Sequence, residues 1–266
     1  MRHWLLNYSA DTRALLWSPL VLGLVILYLI GLHLWVPATR KWVWKALLGL
    51  AVPMFLVQPY LALVWTPPEK FMGDVYRILY MHVPQLWMSM VWFLVSFVCS
   101  VTYLFRQSWA VDSLAEASAE VGLYLAAVGV TLGSLWAKPT WGTWWTWDPR
   151  LISVTVMILM YAGYLALRSF IEDAEKRATW SAVTGILFAV SLPMVWFSVK
   201  YARSIHQVQS NPSTVDATMS MALRFSSFAF LALTFVFVYH RFLHAEAKRA
   251  TEVALPDALP PKPEAV

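Results

Sequence analysis

From Trp136 to Arg150 the chain reads Trp-Ala-Lys-Pro-Thr-Trp-Gly-Thr-Trp-Trp-Thr-Trp-Asp-Pro-Arg, so five of its sixteen tryptophans crowd a polar gap between two long apolar runs. Indole joins a large flat apolar face to one N–H donor. An aromatic belt at a bilayer surface needs one anchor per helix end. That accounts for Trp65, Trp87, Trp109, Trp180 and Trp196, but not for Trp141, Trp144, Trp145 and Trp147 in so short a stretch. With Trp136 just ahead of them, these rings predict a platform for a large planar ligand whose edge stays wet. Gly142 in their midst gives the backbone freedom to turn close to a ligand face. Asp148-Pro149-Arg150 reads as a helix start, with aspartate as N-cap and proline at the first helical position. Such a helix aims its positive end at the tryptophans, with Arg150 beside it, which suits a ligand carrying carboxylates at one edge.

Two histidines accompany the platform. His82 lies in Tyr-Met-His-Val-Pro-Gln-Leu-Trp, two residues before Pro84. Because proline suits a first helical turn, the span is expected to start there, with His82 just above its mouth. His206 lies in Lys-Tyr-Ala-Arg-Ser-Ile-His-Gln, with Arg203 on the same helical face at i, i+3 if the helix continues. Either histidine alone reads as an interfacial hydrogen-bonding residue. Two of them on one side of a tryptophan platform point instead to haem, whose iron takes imidazole from both axial directions. Arg77 and Arg203 are further candidates for bidentate contacts to carboxylates. His240 and His244 have metal-pair spacing but bring no carboxylate and close the last apolar run, where a helix-end role explains them. His3 and His33 have no visible partner, and Cys99 is alone within an apolar run. No phosphate-binding loop of the form Gly-x4-Gly-Lys-Ser/Thr and no nucleophile grouping is present. Any ATP hydrolysis therefore belongs to a partner.

The elements that must position these residues are membrane helices. The chain is 59% hydrophobic and 13% charged, with a mean hydropathy of +0.58, against about 25% charged residues in a soluble domain. Seven apolar stretches reach or approach the ~20 residues that cross a bilayer: Ser18–Val36, Val43–Trp65, Gln85–Phe105, Ala115–Ala137, Leu151–Leu167, Thr179–Val199 and Phe225–Phe242. Backbone groups in lipid must pair within the segment, so these are helices. Ser18–Val36 is too long for a signal h-region and is expected as an extra N-terminal membrane helix. The net charge of +5 bears on orientation, not on nucleic acid. Two spans separate the His82 segment from the tryptophan loop, and two more separate that loop from His206, so all three are expected on one side. Ten lysines and arginines border the span ends on the opposite side and seven on this one, which places the tryptophans outside the cytoplasm. Residues 246–266, with several prolines and no apolar periodicity towards their end, are expected to form a disordered cytoplasmic tail.

The string Trp-Gly-Thr-Trp-Trp-Thr-Trp-Asp-Pro-Arg-Leu at 141–151 resembles the tryptophan-rich WWD motif of haem-handling proteins in cytochrome c maturation. The stretches Gly133-Ser-Leu-Trp-Ala-Lys-Pro-Thr, Tyr76-Arg-Ile-Leu-Tyr-Met-His-Val-Pro and Arg203-Ser-Ile-His-Gln are similar to those of the haem exporter protein C family of the system I pathway, over about residues 43–245. The resemblance implies an all-α integral membrane protein of six core spans in the bacterial inner membrane, with a periplasmic WWD loop. It implies haem b held by His82 and His206 as axial ligands, and a carrier that is not an enzyme. Delivery would be to a periplasmic haem chaperone, in a complex with an ABC-type ATPase, its membrane partner and a small single-span protein. Residues 1–42 then form an extension that the family lacks, 43–245 the haem-handling unit and 246–266 the tail. A system II-type haem lyase shares the tryptophan run, but usually has Asp-Pro-Lys-Glu where this chain has Asp-Pro-Arg-Leu. A di-haem electron-transfer subunit carries its ligands deep within spans, whereas His82 and His206 are expected outside them.

Overall fold

The computed structural model describes residues 21–32, 36–206 and 216–258. A short apolar helix α1 (Val21–Leu32) is followed by α2 (Arg40–Tyr60), which runs on through a π turn at Leu61–Trp65. Then come α3 (Leu79–Arg106), α4 (Trp109–Trp141), α5 (Pro149–Phe170), α6 (Ala174–Phe188), α7 (Ser191–Tyr201) and α8 (Ala217–Ala258). Helices α6 and α7 make one span, so that six segments are long and apolar enough to cross a membrane. Helix α1 rises only ~18 Å at 1.5 Å per residue. The remainder of the expected Ser18–Val36 span lies almost wholly outside the described residues, as do His3 and His33. Ile26 is fully buried in the core formed by α2, α3, α4 and α8, and Gly23 lets α1 pack against the Phe228 ring of α8.

Helix α3 starts earlier than the proline suggested. Leu79 is its first residue and a 3-10 turn, Asp74–Ile78, leads into it, so Pro84 is interior and His82 lies inside the helix, not above it. An interior proline leaves the carbonyl four residues back without its donor, here that of Tyr80. Gln58 of α2, fully buried, donates its Nε2 to this oxygen at 3.3 Å and to Ser226 Oγ of α8 at 3.1 Å. The replacement donor lets the helix run through the proline.

The two-residue link Gln107–Ser108 makes α3 and α4 antiparallel neighbours, and glycine sets their distance. A Cβ at Gly122 would fall 2.8 Å from the Phe93 ring, one at Gly129 2.7 Å from Leu86, and one at Gly133 2.7 Å from the His82 ring. As the glycines climb α4 by seven and then four residues, their partners descend α3 by the same steps. The stripe fixes one register, and the last position in it holds His82.

At the other end of the bundle, buried Asp112 of α4 accepts both guanidinium arms of Arg168 of α5 at 2.7 and 3.0 Å and a third bond from Arg249 of α8. Arg168 also reaches Glu116 at 2.7 Å, Arg177 reaches Glu252 at 2.5 Å, and Arg241 pairs with Glu120. This network corrects the expected tail. Residues 246–258 are helical, because Ala245 to Ala250 are strong helix formers and the charges of Arg249 and Glu252 are drawn into the bundle. Residues 259–266 lie outside the described region. Replacing Asp112 by alanine leaves the buried Arg249 guanidinium without its carboxylate and Arg168 with Glu116 alone, a loss of about 3–5 kcal/mol for a broken buried pair. A thermal melt of the detergent-solubilised protein should show a large drop for Asp112→Ala and a small one for the exposed pair variant Arg241→Gln.

Candidate functional site

The tryptophan segment begins where α4 ends. Trp141 closes the helix and Gly142 follows in the left-handed region at φ +77°, its N–H donating to Lys138 O at 3.1 Å. That conformation costs ~1–2 kcal/mol for a residue with a Cβ. Nothing lies within 4 Å of where a Cβ would sit. Glycine is needed here for the helix stop, and the space beside its Cα is open. Lys138 Nζ donates to Gly142 O at 3.1 Å and lies 6.0 Å from the Trp144 ring centroid, which ties the turn back to the helix.

The rings do not form one flat sheet. Buried Trp136 meets Trp141 edge-to-face at 5.1 Å, and Trp141 meets the His206 ring in the same manner at 5.1 Å. Trp145 and Trp147 form another edge-to-face pair at 6.2 Å. His82, Trp136, Arg150 and His206 all line a cleft of about 250 Å3 whose walls include Tyr80, Trp87, Met157 and Val195. The same four residues line an adjoining cavity of about 30 Å3 with Trp141, Trp144 and Trp145. The parity of the spans thus brings the three segments to one end of the bundle.

The two histidines are prepared differently. His82 is 8% exposed, and its Nδ1 lies 2.7 Å from Gly129 O. A carbonyl only accepts, so Nδ1 carries a proton, and in the neutral ring Nε2 is the nitrogen with the free lone pair. His206 is half-buried, and its Nδ1 is buried without a partner among the described residues. Burial, then the Arg150 cation and His82, hold its pKa down to about 4 against the opposing pull of the Asp148 carboxylate. At neutral pH the His206 ring is therefore an uncharged base, and it faces the same cleft as His82.

Asp148 does more than cap a helix. Its Oδ1 accepts from Arg150 N at 2.9 Å, as the sequence predicts, and also from Ser204 Oγ at 3.0 Å, while Oδ2 accepts from Ile205 N at 2.8 Å. Ser204 Oγ in turn accepts from His206 N at 3.0 Å. Burial opposes the charge on Asp148, but these donors outweigh it and keep the carboxyl below its usual range. Asp148 is thus the anchor of the His206 segment. Ser204 and Ile205 carry no sequence signal for this role, since their contact is to a residue more than fifty positions away. Gly129 and Gly133, spaced for close helix approach, were a readable sign of how His82 is held.

Other expected residues stand elsewhere. Arg77 lines neither cavity: its guanidinium donates to Asp74 at 2.7 Å, Ala62 O at 3.1 Å and Thr66 Oγ1 at 3.2 Å, bracing the π turn of α2. Arg203 is exposed and lines neither, and Trp147 is 80% exposed and also lies outside both. Arg150 lines both, and its guanidinium makes no hydrogen bond among the described residues. His240 and His244 are exposed at the far end, with His240 edge-on to Trp44. Asp148→Ala should remove about 1 kcal/mol of capping and free the backbone of 204–206. Hydrogen exchange should be faster at Ile205 and His206 but unchanged in the middle of α4. Unaltered protection at Ile205 would show that Asp148 does not hold the segment.

Comparison with known proteins places this geometry. The heme exporter protein C family matches residues 26–254, beginning within α1 and ending in α8, beyond the 43–245 expected at both ends. The heme exporter protein C of Bradyrhizobium diazoefficiens is 35% identical over 172 residues, 63% of this chain and 65% of that protein, so this match spans just under two thirds of the relative. The Escherichia coli K12 protein of the same name is 31% identical over 212 residues, 72% of this chain and 86% of its own. A putative cytochrome c biosynthesis mitochondrial protein of Marchantia polymorpha is 29% identical over 174 residues, 63% of this chain and 74% of its own. With most of its described helices inside the matched region and its tryptophan, histidine and aspartate segments assembled at one end, the chain belongs to the heme exporter protein C family.

Proposed function

We propose that the chain binds haem b between His82 and His206 and passes it to a periplasmic haem chaperone for c-type cytochrome biogenesis. The observation that carries this reading is the pair of imidazoles, each with a nitrogen uncommitted among the described residues, on one largely apolar cleft. Among the described residues no three His, Cys, Asp or Glu side chains gather as metal ligands. A bare ion would lack a ligand set, but haem iron brings four nitrogens of its own and asks only for two axial ones. Trp136, Trp141, Trp144 and Trp145 supply apolar faces beside the histidines, and the unpaired Trp136 Nε1 adds a donor. Arg150, at the N-terminal end of α5, suits the propionate carboxylates. Exposed Trp144 and Trp147 leave a ring edge open to an acceptor.

Haem is the cargo in this reading, and the chain works as a subunit beside an ABC-type ATPase, its membrane partner and a small single-span protein. The site lies at the periplasmic face of the inner membrane. His82 lies within a span, so ligand depth no longer separates a carrier from an electron-transfer subunit. What favours a carrier is that His240 and His244 stand exposed at the far end, with His240 lining a groove other than the cleft of the first pair.

Absorbance of the purified protein tests the site. His82→Ala and His206→Ala should each alter the haem spectrum and the double variant should lose haem, whereas His240→Ala and His244→Ala should not change it. Added chaperone should take the haem away; retention with turnover by a quinone would favour electron transfer. A free imidazole titrating at its ordinary value near 6.5 is mostly protonated, and so poorly able to take up iron, below that pH. His206, held to about 4 before haem binds, should stay competent to take up haem down to about pH 5. Over the same window the unfolded chain takes up a proton that the folded chain refuses, so stability also falls as pH drops from about 6.5 to 4. Arg150→Gln removes a cation that lowers the His206 pKa and should move the spectral midpoint to higher pH; an unmoved midpoint counts against this electrostatic assignment. For orientation, a cysteine at Trp144 should react with an impermeant thiol reagent applied from the periplasm, with buried Cys99 silent. Labelling only from the cytoplasm would invert the proposed topology.

A further inference from the structure

At the end of the bundle opposite the tryptophans, a cavity of about 210 Å3 opens between α4, α5, α6 and α8. Its wall holds Arg168, Arg177, Lys248 and Arg249 together with Glu116, Glu120 and Glu252. Each of these carboxylates is already engaged: Glu116 by Arg168, Glu120 by Arg241, and Glu252 by Arg177. Asp112, behind them, is taken by Arg168 and Arg249. Donors are left over. Among the described residues, Arg168 Nε and the Nε and Nη1 of Arg249 are buried without an acceptor, on side chains only 4% and 9% exposed. The Arg249 guanidinium lies 4.4 Å from the Trp109 ring centroid, a contact that favours its charge but offers no lone pair. Glu246, one turn earlier on α8, also keeps a buried unpaired oxygen, but it does not line the cavity.

Buried guanidinium N–H groups in surplus suit the oxygens of a phosphate or carboxylate. Depth and surroundings choose between them. The cavity stands where the span of α5 ends and that of α6 begins, at the level of lipid headgroups. A groove of about 300 Å3 adjoins it through the shared Glu120 and is lined by Val121, Tyr124, Phe237, His240 and Arg241. Along α4 and α8 this groove leads towards the bundle middle, past Tyr124 and Phe237, which are 64% and 43% exposed. A cavity with spare guanidinium donors at headgroup depth, continued inward by an apolar groove, has the outline of one phospholipid.

We propose that this end of the protein binds a membrane phospholipid, with its phosphodiester at Arg168, Lys248 and Arg249 and an acyl chain against Tyr124 and Phe237. The site is independent of the haem reading. The full chain, purified in detergent and washed free of loosely held lipid, should retain phospholipid phosphorus. Short-chain phosphatidylglycerol should raise its melting temperature, and inorganic phosphate at equal concentration should not. Arg249→Ala also deprives Asp112 of a partner, so the exposed positions carry the test. Lys248→Glu should weaken the lipid response about tenfold, as for loss of one charge-assisted bond, and Phe237→Ala should weaken it for lipid only. Stabilisation by inorganic phosphate equal to that by lipid would overturn the proposal in favour of a free-anion site. Loss of all phosphorus on washing, with no response to lipid, would overturn it outright.

Discussion

The close approach of α3 and α4 is the constraint on which the remaining structure depends. Without side chains at positions 122, 129 and 133 of α4, the facing Phe93, Leu86 and His82 can lie against its backbone. The contact that results at the outer end is chemical as well as steric. His82 is near enough to place its Nδ1 on Gly129 O, and that bond decides which nitrogen carries the proton. A methyl group at position 133 would displace the ring that makes the bond. The glycine stripe therefore sets the register, the register sets the histidine, and the histidine tautomer sets what the cleft can ligate.

Helices α4, α5 and α8 each join the two ends of the molecule. Helix α4 carries Asp112 at one end and Trp136 and Trp141 at the other. Helix α5 carries Arg150 beside the cleft and Arg168 in the ion network, and α8 starts after the His206 segment and brings Arg249 to Asp112. A buried ion network contributes less net stability than its bond count suggests, because desolvation offsets the attraction. Its geometry is nonetheless restrictive: one carboxylate with three guanidinium bonds leaves little freedom in how these helices are placed along one another. The tryptophan end is thus assembled on helices whose far ends are already pinned.

Much of this was legible in the residues. Run length and polarity mark the six spans, span parity puts His82, the tryptophans and His206 together, and Asp148-Pro149 marks the start of α5, whose first turn the carboxylate caps as expected. What was not legible depends on contacts between distant positions. Pro84 looked like a helix start because its local cost is certain, whereas the compensating Gln58 donor comes from another helix. The charged stretch at 246–252 looked like a solvated tail because its acidic partner, Asp112, lies more than a hundred residues earlier. Arg77 looked like a ligand contact because a guanidinium suits carboxylates, whereas here it donates to Asp74 and to Ala62 O and Thr66 Oγ1 of the π turn in α2.

The two histidines also differ in what must move to displace them. His82 sits within a helix, behind a buried bond to a neighbouring helix, and shifting it means separating α3 from α4 along their packed glycine face. His206 follows the end of α7 by five residues and is held through Ser204 and Ile205 by one carboxylate. Breaking two or three hydrogen bonds at Asp148 costs far less than unpacking two membrane helices, since each such bond is worth on the order of 1 kcal/mol net, somewhat more when its acceptor is charged. The cleft therefore has one fixed wall and one yielding wall, and the yielding wall hangs from the same aspartate that starts α5 beneath the tryptophans. Any change in the α5 terminus reaches His206 through two hydrogen bonds and reaches His82 only through the helix packing.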